Sequence, residues 1–260
     1  LLPVNETPCF PIHEIRLTGD EGAFTGSLGA LNPEHDPALG KRLGSAGINL
    51  IMERLQNALI AQGYVTTRVL AGPQDLQNGV LVLTVVPGRL RTVRFSDNSD
   101  PRANAWNALS LRSGEILNLR DIEQALENFK RVPSAEADIK IVPTDVPGES
   151  DLLVTWKQAF PFRFTVGAND GGSRSTGKYL GSATVSADHF LALNDLFYLS
   201  ANQDMGGGDP GNRGTLGYTA HYSLPYGHWL LSATASRNGY HQNVAGMFQN
   251  YEYSGTSENT

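Results

Sequence analysis

From residue 160 onward polar and apolar side chains alternate in run after run, and a two-residue period marks a strand with two unlike faces. In TLGYTAHYSL, 215–224, Leu216, Tyr218, Ala220, Tyr222 and Leu224 fall on one side, and Thr215, Gly217, Thr219, His221 and Ser223 on the other. The runs FPFRFTVGA (160–168), YLGSATVSAD (179–188) and HWLLSATAS (228–236) follow the same pattern, and DLFYLSANQ (195–203) does so less cleanly, with Tyr198 among its polar positions. Alternation alone suits a soluble sandwich as well as a membrane barrel. The connections favour the barrel: NDGGSRSTGK and DMGGGDPGNR are long and polar, while LALN and PYG are short. Long loops at one end and tight turns at the other belong to a membrane barrel. Small Ser, Thr and Gly on the polar side suit a watered lumen, and Phe160, Phe162, Tyr222, Tyr226 and Trp229 collect near turns and strand starts as an interfacial girdle would.

Five such strands, with the start of a sixth in FQNYEYSG, do not close a barrel, because membrane barrels begin at ~8 strands. An open edge in lipid leaves backbone groups unsatisfied. The 260 residues are therefore read as part of a longer chain that continues past SGTSENT.

The first 160 residues follow another pattern. FPIHEIRLTG reads as a strand, and INLIMERLQNALIAQGYV as an amphipathic helix with Ile48, Ile51, Leu55 and Leu59 on one face and Gly63 at its end. TTRVL and VLVLTVV follow as strands, punctuated by Pro87 and Gly88. The order then repeats: RLRTVRF is a strand, NLRDIEQALENFKRV a helix with Leu119, Ile122, Leu126 and Phe129 on one face, and ADIKIVP and DLLVTWKQ are strands. Asn118, three residues before Asp121, has the form of a helix N-cap. Two tandem units of this kind suit interaction modules better than one enzyme domain.

Composition removes several functions. A net charge of −6 provides no global basic field for nucleic acid, and no apolar run approaches the ~18 residues of a membrane-spanning helix. Charged residues are 18% of the chain, against ~25% in ordinary soluble domains. Cys9 is the single cysteine, so neither an intrachain disulfide nor a cysteine-based zinc site can form. GGGDPGNRG lacks the Gly-Lys-Ser/Thr ending of a phosphate loop, which makes it an exposed loop rather than a nucleotide site. Asp188 and His189 have no positioned nucleophile beside them, and His13 with Glu14 and His35 with Asp36 lack metal-ligand spacing. No enzymatic activity, cofactor or metal is expected.

The phrases CFPIHEIRLTG (9–19), LQNALIAQGYVTTRVLAGPQDLQNGVLVLTVVPGRL (55–90), DIEQALENFKRVPS (121–134) and PGESDLLV (147–154) resemble the two-partner secretion transporters of Gram-negative outer membranes, the TpsB family. The likeness is greatest to the haemolysin-secretion and contact-dependent-inhibition branch, the CdiB-like transporters. The resemblance implies an α+β region followed by an all-β one: two tandem POTRA modules, 9–87 and 88–158, and from 159 to 260 the opening strands of a transmembrane antiparallel β-barrel. It also implies periplasmic modules, an outer-membrane location and no nucleotide. The partners it implies are outer-membrane lipid and a secreted TpsA-type exoprotein, recognised through its N-terminal secretion domain. Relatives commonly carry a second cysteine in the segment matching KRLG, where Arg42 stands in this chain. Their plug helix would precede residue 1, and their lid-loop motif would follow Thr260.

Within that scheme, the exposed edge strands would pair with an extended client: Thr66, Thr67, Arg68, Val69 and Leu70 in the first module, and Asp138, Ile139, Lys140, Ile141 and Val142 in the second. The alternative is that these strands only complete their own sheets. Arg163, Thr165, Ser182, Thr184, Thr219 and His221 would line the pore, with Arg163 near its mouth and able to meet an acid of a plug or lid. Two other functions remain open from sequence: a barrel-assembly insertase, and a soluble β-rich adhesin or enzyme with accessory domains.

Overall fold

The computed structural model describes residues 1–19 and 21–260. Two compact units emerge: Leu1–Arg94 with Leu111–Glu123 and Ile139–Val154, and Phe95–Ser110 with Gln124–Asp138 and Thr155–Thr260.

In the first module the alternation of VLVLTVV is obeyed. Strand β5 (Val80–Val86) buries Leu81, Leu83 and Val85. It lies between β2 (Glu14–Gly19), parallel, and β4 (Arg68–Leu70), antiparallel. Helix α2 (Ser45–Ala61) contributes Ile51, Leu55 and Leu59 to the same core, with Ile48 half-buried against it. A short helix α1 (Glu21–Phe24) and a 3-10 turn (Thr25–Leu31) add Phe24 and Leu31 to that core.

Three expectations for this module change. FPIHEIRLTG is not one strand: Phe10–Pro11 (β1) pairs with Arg42–Leu43 (β3), and the chain breaks at Ile12 and His13 before β2 begins. The break lets the Ile12 amide bond Lys41 O at 2.9 Å and the His13 amide bond Gly79 O at 2.8 Å. Helix α2 starts at Ser45, ahead of the apolar run, because the Glu6 carboxylate receives the amides of Gly44 (2.8 Å), Ala46 (2.7 Å) and Gly47 (3.0 Å). That supplies partners to N–H groups a helix start leaves orphaned. A Cβ on Gly47 would lie 2.7 Å from Glu6 Oε2, so glycine is what admits the carboxylate. The helix stops as expected, since Gly63 adopts φ +97° and the Tyr64 amide reaches back to Leu59 O at 2.9 Å. The third change is TTRVL, whose strand is only Arg68–Leu70. Arg42 directs Nε at Cys9 Sγ, 3.4 Å away.

The second module has strand order β6 (Arg89–Phe95), β8 (Glu149–Gln158), β7 (Ala135–Pro143), with helix α3 (Leu119–Lys130). Asn118 caps α3 by accepting the Arg120 amide at 2.9 Å. Trp156, fully buried, donates Nε1–H to Phe129 O at 3.1 Å. Asp151 on β8 binds Arg91 through two contacts of 2.8 and 2.6 Å and Arg94 at 2.9 Å. Its buried carboxyl is held below the usual carboxylate range, chiefly by the Arg91 bonds.

The remaining strands form one antiparallel sheet in chain order: β9 (Phe162–Asn169), β10 (Leu180–Asp188), β11 (Leu196–Asp204), β12 (Arg213–Tyr226), β13 (Trp229–Ala245) and β14 (Asn250–Asn259). One connection differs from expectation. LALN is the centre of a loop covering 189–195, not a tight turn. His189, Ala192 and Asn194 there adopt φ of 53°, 60° and 52°. The Asp195 carboxylate stabilises this left-handed geometry by receiving the amides of Leu191 and Leu193, each at 3.0 Å. The far end of β13 stays paired out to Ala245, so residues 246–249 close the last hairpin.

Replacing Glu6 with Ala should lower the melting temperature of the first module, read by circular dichroism. The bound carboxylate has its pKa depressed from 4.5: burial opposes the shift, but the three amide donors outweigh it. The stabilisation it gives is therefore full above about pH 4.5 and disappears as pH falls through the lower folded value, so wild type and variant should converge in acid.

Candidate functional site: an edge groove, a polar junction and a two-faced wall

The two edge strands are not equivalent. At β4 the outward side is already engaged: Gln56 of α2 donates to Thr67 O, just before the strand, at 2.8 Å and accepts the Val69 amide at 3.1 Å. Gln74 does the same for β5 beyond the end of β4, exchanging bonds of 2.9 and 2.7 Å with Val82. Both side chains stand in for a neighbouring strand. Thr66 and Thr67, outside the strand, grip Gly88: the Gly88 amide reaches Thr67 Oγ1 at 3.3 Å, and a Cβ on Gly88 would lie 2.0 Å from Thr66 Oγ1. Asn118 adds a second tie here, donating to Gln62 O at 3.1 Å, while the Leu119 amide reaches Gly63 O at 2.8 Å.

Strand β7 differs. It is terminal in its sheet, and among the described residues nothing bonds the outer backbone edge from Glu136 to Val142. Asp138 and Lys140 are exposed, and Ile139, Ile141 and Val142 are half-buried. The end of β7 borders a groove of about 460 Å³, with Leu70, Val86, Ile141 and Val146 as its apolar lining and Arg68 and Glu149 at its charged margins. The groove accordingly contains residues from both predicted edges.

Beside the sheet's turns the second unit holds a dense polar junction. Asn107 donates to Pro225 O at 2.8 Å and to Leu193 O, and its own carbonyl receives the Gly227 amide at 2.9 Å. Asn128 donates to Ala108 O at 2.8 Å and Gly227 O at 2.7 Å. Arg131 reaches Ser223 O at 3.3 Å and also meets Ser223 Oγ. His189 is fully buried, its ring 4.5 Å from that of Trp156. Nε2 faces Arg102 O at 2.9 Å and so donates, while Nδ1 accepts the Asn194 amide at 3.0 Å. That pair of bonds requires the neutral ring, and burial, the largest influence, lowers the His189 pKa. Charge patterns in the sequence carry no trace of this junction, because its bonds run mainly from side-chain amides to turn carbonyls.

On the sheet, register places Arg163, Thr165, Ser182, Thr184, Thr219 and His221 on one face. They are tied across strands: Thr184 to Ser200 at 2.9 Å, and His221 Nδ1 to Thr234 Oγ1 at 2.7 Å. Tyr198, the residue that broke the pattern, stacks on His221 with ring centroids 4.9 Å apart. Arg163 pairs with buried Asp188, which also receives the Ser134 amide at 3.0 Å. The opposite face carries exposed Phe162, Phe164, Val166, Val185, Leu199, Leu216 and Tyr218. Its row on β13 ends at Ala235, and Arg237, next on that side, pairs with Glu258 at 3.2 Å.

Comparison with known proteins gives a consistent result. Residues 148–260 match the haemolysin secretion/activation protein family ShlB/FhaC/HecB, residues 10–88 the ShlB-type POTRA domain, and residues 89–143 a further POTRA domain. An outer membrane transporter CdiB-2 of Burkholderia pseudomallei is 38% identical over 96% of this chain and 44% of its own length. The hemolysin transporter protein ShlB of Serratia marcescens is 30% identical over 89% and 40%. The solved structure of CdiB from Acinetobacter baumannii superposes with a TM-score of 0.85 at 27% identity, covering 98% of this chain and 49% of that one. CdiB from Escherichia coli gives 0.80 at 26%, covering 97% and 46%. The chain thus spans less than half the length of these relatives.

Asn107→Ala would orphan the carbonyls of Pro225 and Leu193, and a buried polar group without a partner costs about 1–3 kcal/mol. Hydrogen exchange at the Gly227 amide should accelerate in this variant, while exchange in the core of β5 should not change.

Proposed function

The chain belongs to the TpsB family of two-partner secretion transporters, in its CdiB-like branch, and from that premise we propose that it takes part in moving an unfolded exoprotein across the outer membrane. Residues 9–87 and 88–158 serve as periplasmic capture modules, and residues 159–260 form part of the wall of a transmembrane barrel. The cargo is a haemolysin- or contact-dependent-inhibition-type exoprotein, engaged through its N-terminal secretion domain. No catalytic step is assigned, and neither nucleotide nor cofactor enters the mechanism.

The observation that carries capture is the open outer edge of β7 beside a partly apolar groove. Backbone pairing along a free edge accepts many sequences, and shallow apolar contacts add affinity without demanding one side chain. Such binding suits an extended client that must later be released. At β4 an incoming strand would first displace the two Gln56 bonds, each worth about 0.5–1.5 kcal/mol. We therefore assign the client to β7, with Ile139, Lys140, Ile141 and Val142 as its backbone partners and Leu70 among the groove contacts.

Ile141→Asp should weaken binding of the exoprotein secretion domain about tenfold, equivalent to ~1.4 kcal/mol, in an anisotropy titration against the full-length transporter. Gln56→Ala should leave that affinity unchanged. If Gln56→Ala tightens binding and Ile141→Asp does nothing, the client uses β4 instead. For the wall, single cysteines placed through residues 215–224 should alternate, with Leu216, Tyr218 and Ala220 reacting with a lipid-soluble maleimide and Thr215, Gly217 and Thr219 with a charged one. A uniform labelling pattern would refute a lipid-facing sheet.

A further inference from the structure

The second module carries one large aromatic side chain that it leaves mostly uncovered. Trp106 is 68% exposed, although Asn104 and Asn107 on either side of it are bound to the turns of the sheet. Asn104 donates to Ala192 O at 2.9 Å and accepts the Trp106 amide at 3.0 Å, and Asn107 donates to Pro225 O at 2.8 Å. The loop is thus held on both sides of a large apolar ring that it leaves uncovered.

The position of the ring is equally specific. Trp106 meets the ring of Tyr226 edge-on, with centroids 5.7 Å apart. Tyr226 pairs in register with Trp229, itself 74% exposed, and both belong to the apolar face, the side carrying Tyr218, Ala220, Ala233 and Ala235. Trp106 therefore extends the aromatic rim of the wall on its greasy side and not on its polar side. Indole combines a broad apolar surface with one N–H donor, which is why tryptophan concentrates where hydrocarbon meets headgroups.

We propose that Trp106 is a membrane anchor of the second module, seated in the headgroup and carbonyl zone of the phospholipid leaflet that the aromatic rim meets. This rests on the reading of residues 159–260 as a membrane-embedded wall. The occupant is lipid, because the patch is continuous with the rim of that wall and carries no charged side chain of its own. The anchor holds the loop between β6 and α3 at the membrane plane, in addition to the hydrogen bonds of the junction.

The three tryptophans of the chain supply the test. The full-length transporter is placed in nanodiscs of phosphatidylcholine brominated either near the carbonyl or near the chain end, and emission is compared for wild type, Trp106→Phe and Trp229→Phe. Phenylalanine retains a ring against Tyr226, and heat-modifiable gel mobility checks that each variant is folded. Quenchable emission should fall in Trp106→Phe by about as much as in Trp229→Phe, more with bromine near the carbonyl than at the chain end. Trp156, 0% exposed, should contribute none of it. A loss in Trp229→Phe with none in Trp106→Phe overturns the anchor and leaves the membrane wall standing. No loss in either variant refutes the wall, and the anchor with it. Quenching of Trp106 that disappears when the exoprotein secretion domain is added, or on transporter self-association, assigns the patch to a protein surface and also overturns the proposal.

Discussion

A backbone amide or carbonyl removed from water must find a partner, and in this chain the places where regular pairing stops determine the architecture. Several are closed by a side-chain amide that imitates backbone, while the outer edge of β7 is left open. Gln56 covers the free edge of β4, Gln74 covers Val82 on β5, and Asn107 and Asn128 bond the turn carbonyls of the large sheet. A primary amide can replace a peptide unit because it presents a donor and an acceptor at similar spacing. Edge protection in small sheets is thereby achieved without charge or proline.

The same device makes the junctions stiff. Asn118 caps α3 with its carbonyl and ties the end of α2 with its amide, so one residue stabilises two helix termini. Next to the sheet, His189 is held as a single neutral tautomer between Arg102 and Asn194. Buried polar networks of this kind are costly when half-satisfied and specific when complete. Arg163 and Asp188 show the other side of that logic. A carboxylate with no solvent access requires its cation, and Arg163 supplies it from the neighbouring strand.

Much of the fold was legible because it follows from period. Leu81, Leu83 and Val85 in β5, the stripe of α2 and the two faces of residues 215–224 each repeat at the spacing their element imposes. Gly63 announced the end of α2 for the same reason, since one backbone conformation there excludes most other residues. The loop at 189–195 was not legible: its left-handed residues are non-glycine, and what stabilises them is one aspartate several residues along. The early start of α2 was hidden as well, because its cap comes from Glu6, distant in sequence.

The sequence by itself determined the order of elements, the two modules and the unlike faces of the sheet, since these depend on local spacing and on how a strand or helix distributes side chains. Tertiary structure alone decided that β4 is covered while β7 is open, that Thr66 and Thr67 hold a junction, and that Trp106 stands beside Tyr226. The physical reason is that hydrogen-bond satisfaction and exposure belong to pairs of groups far apart along the chain, and no window of sequence contains both members.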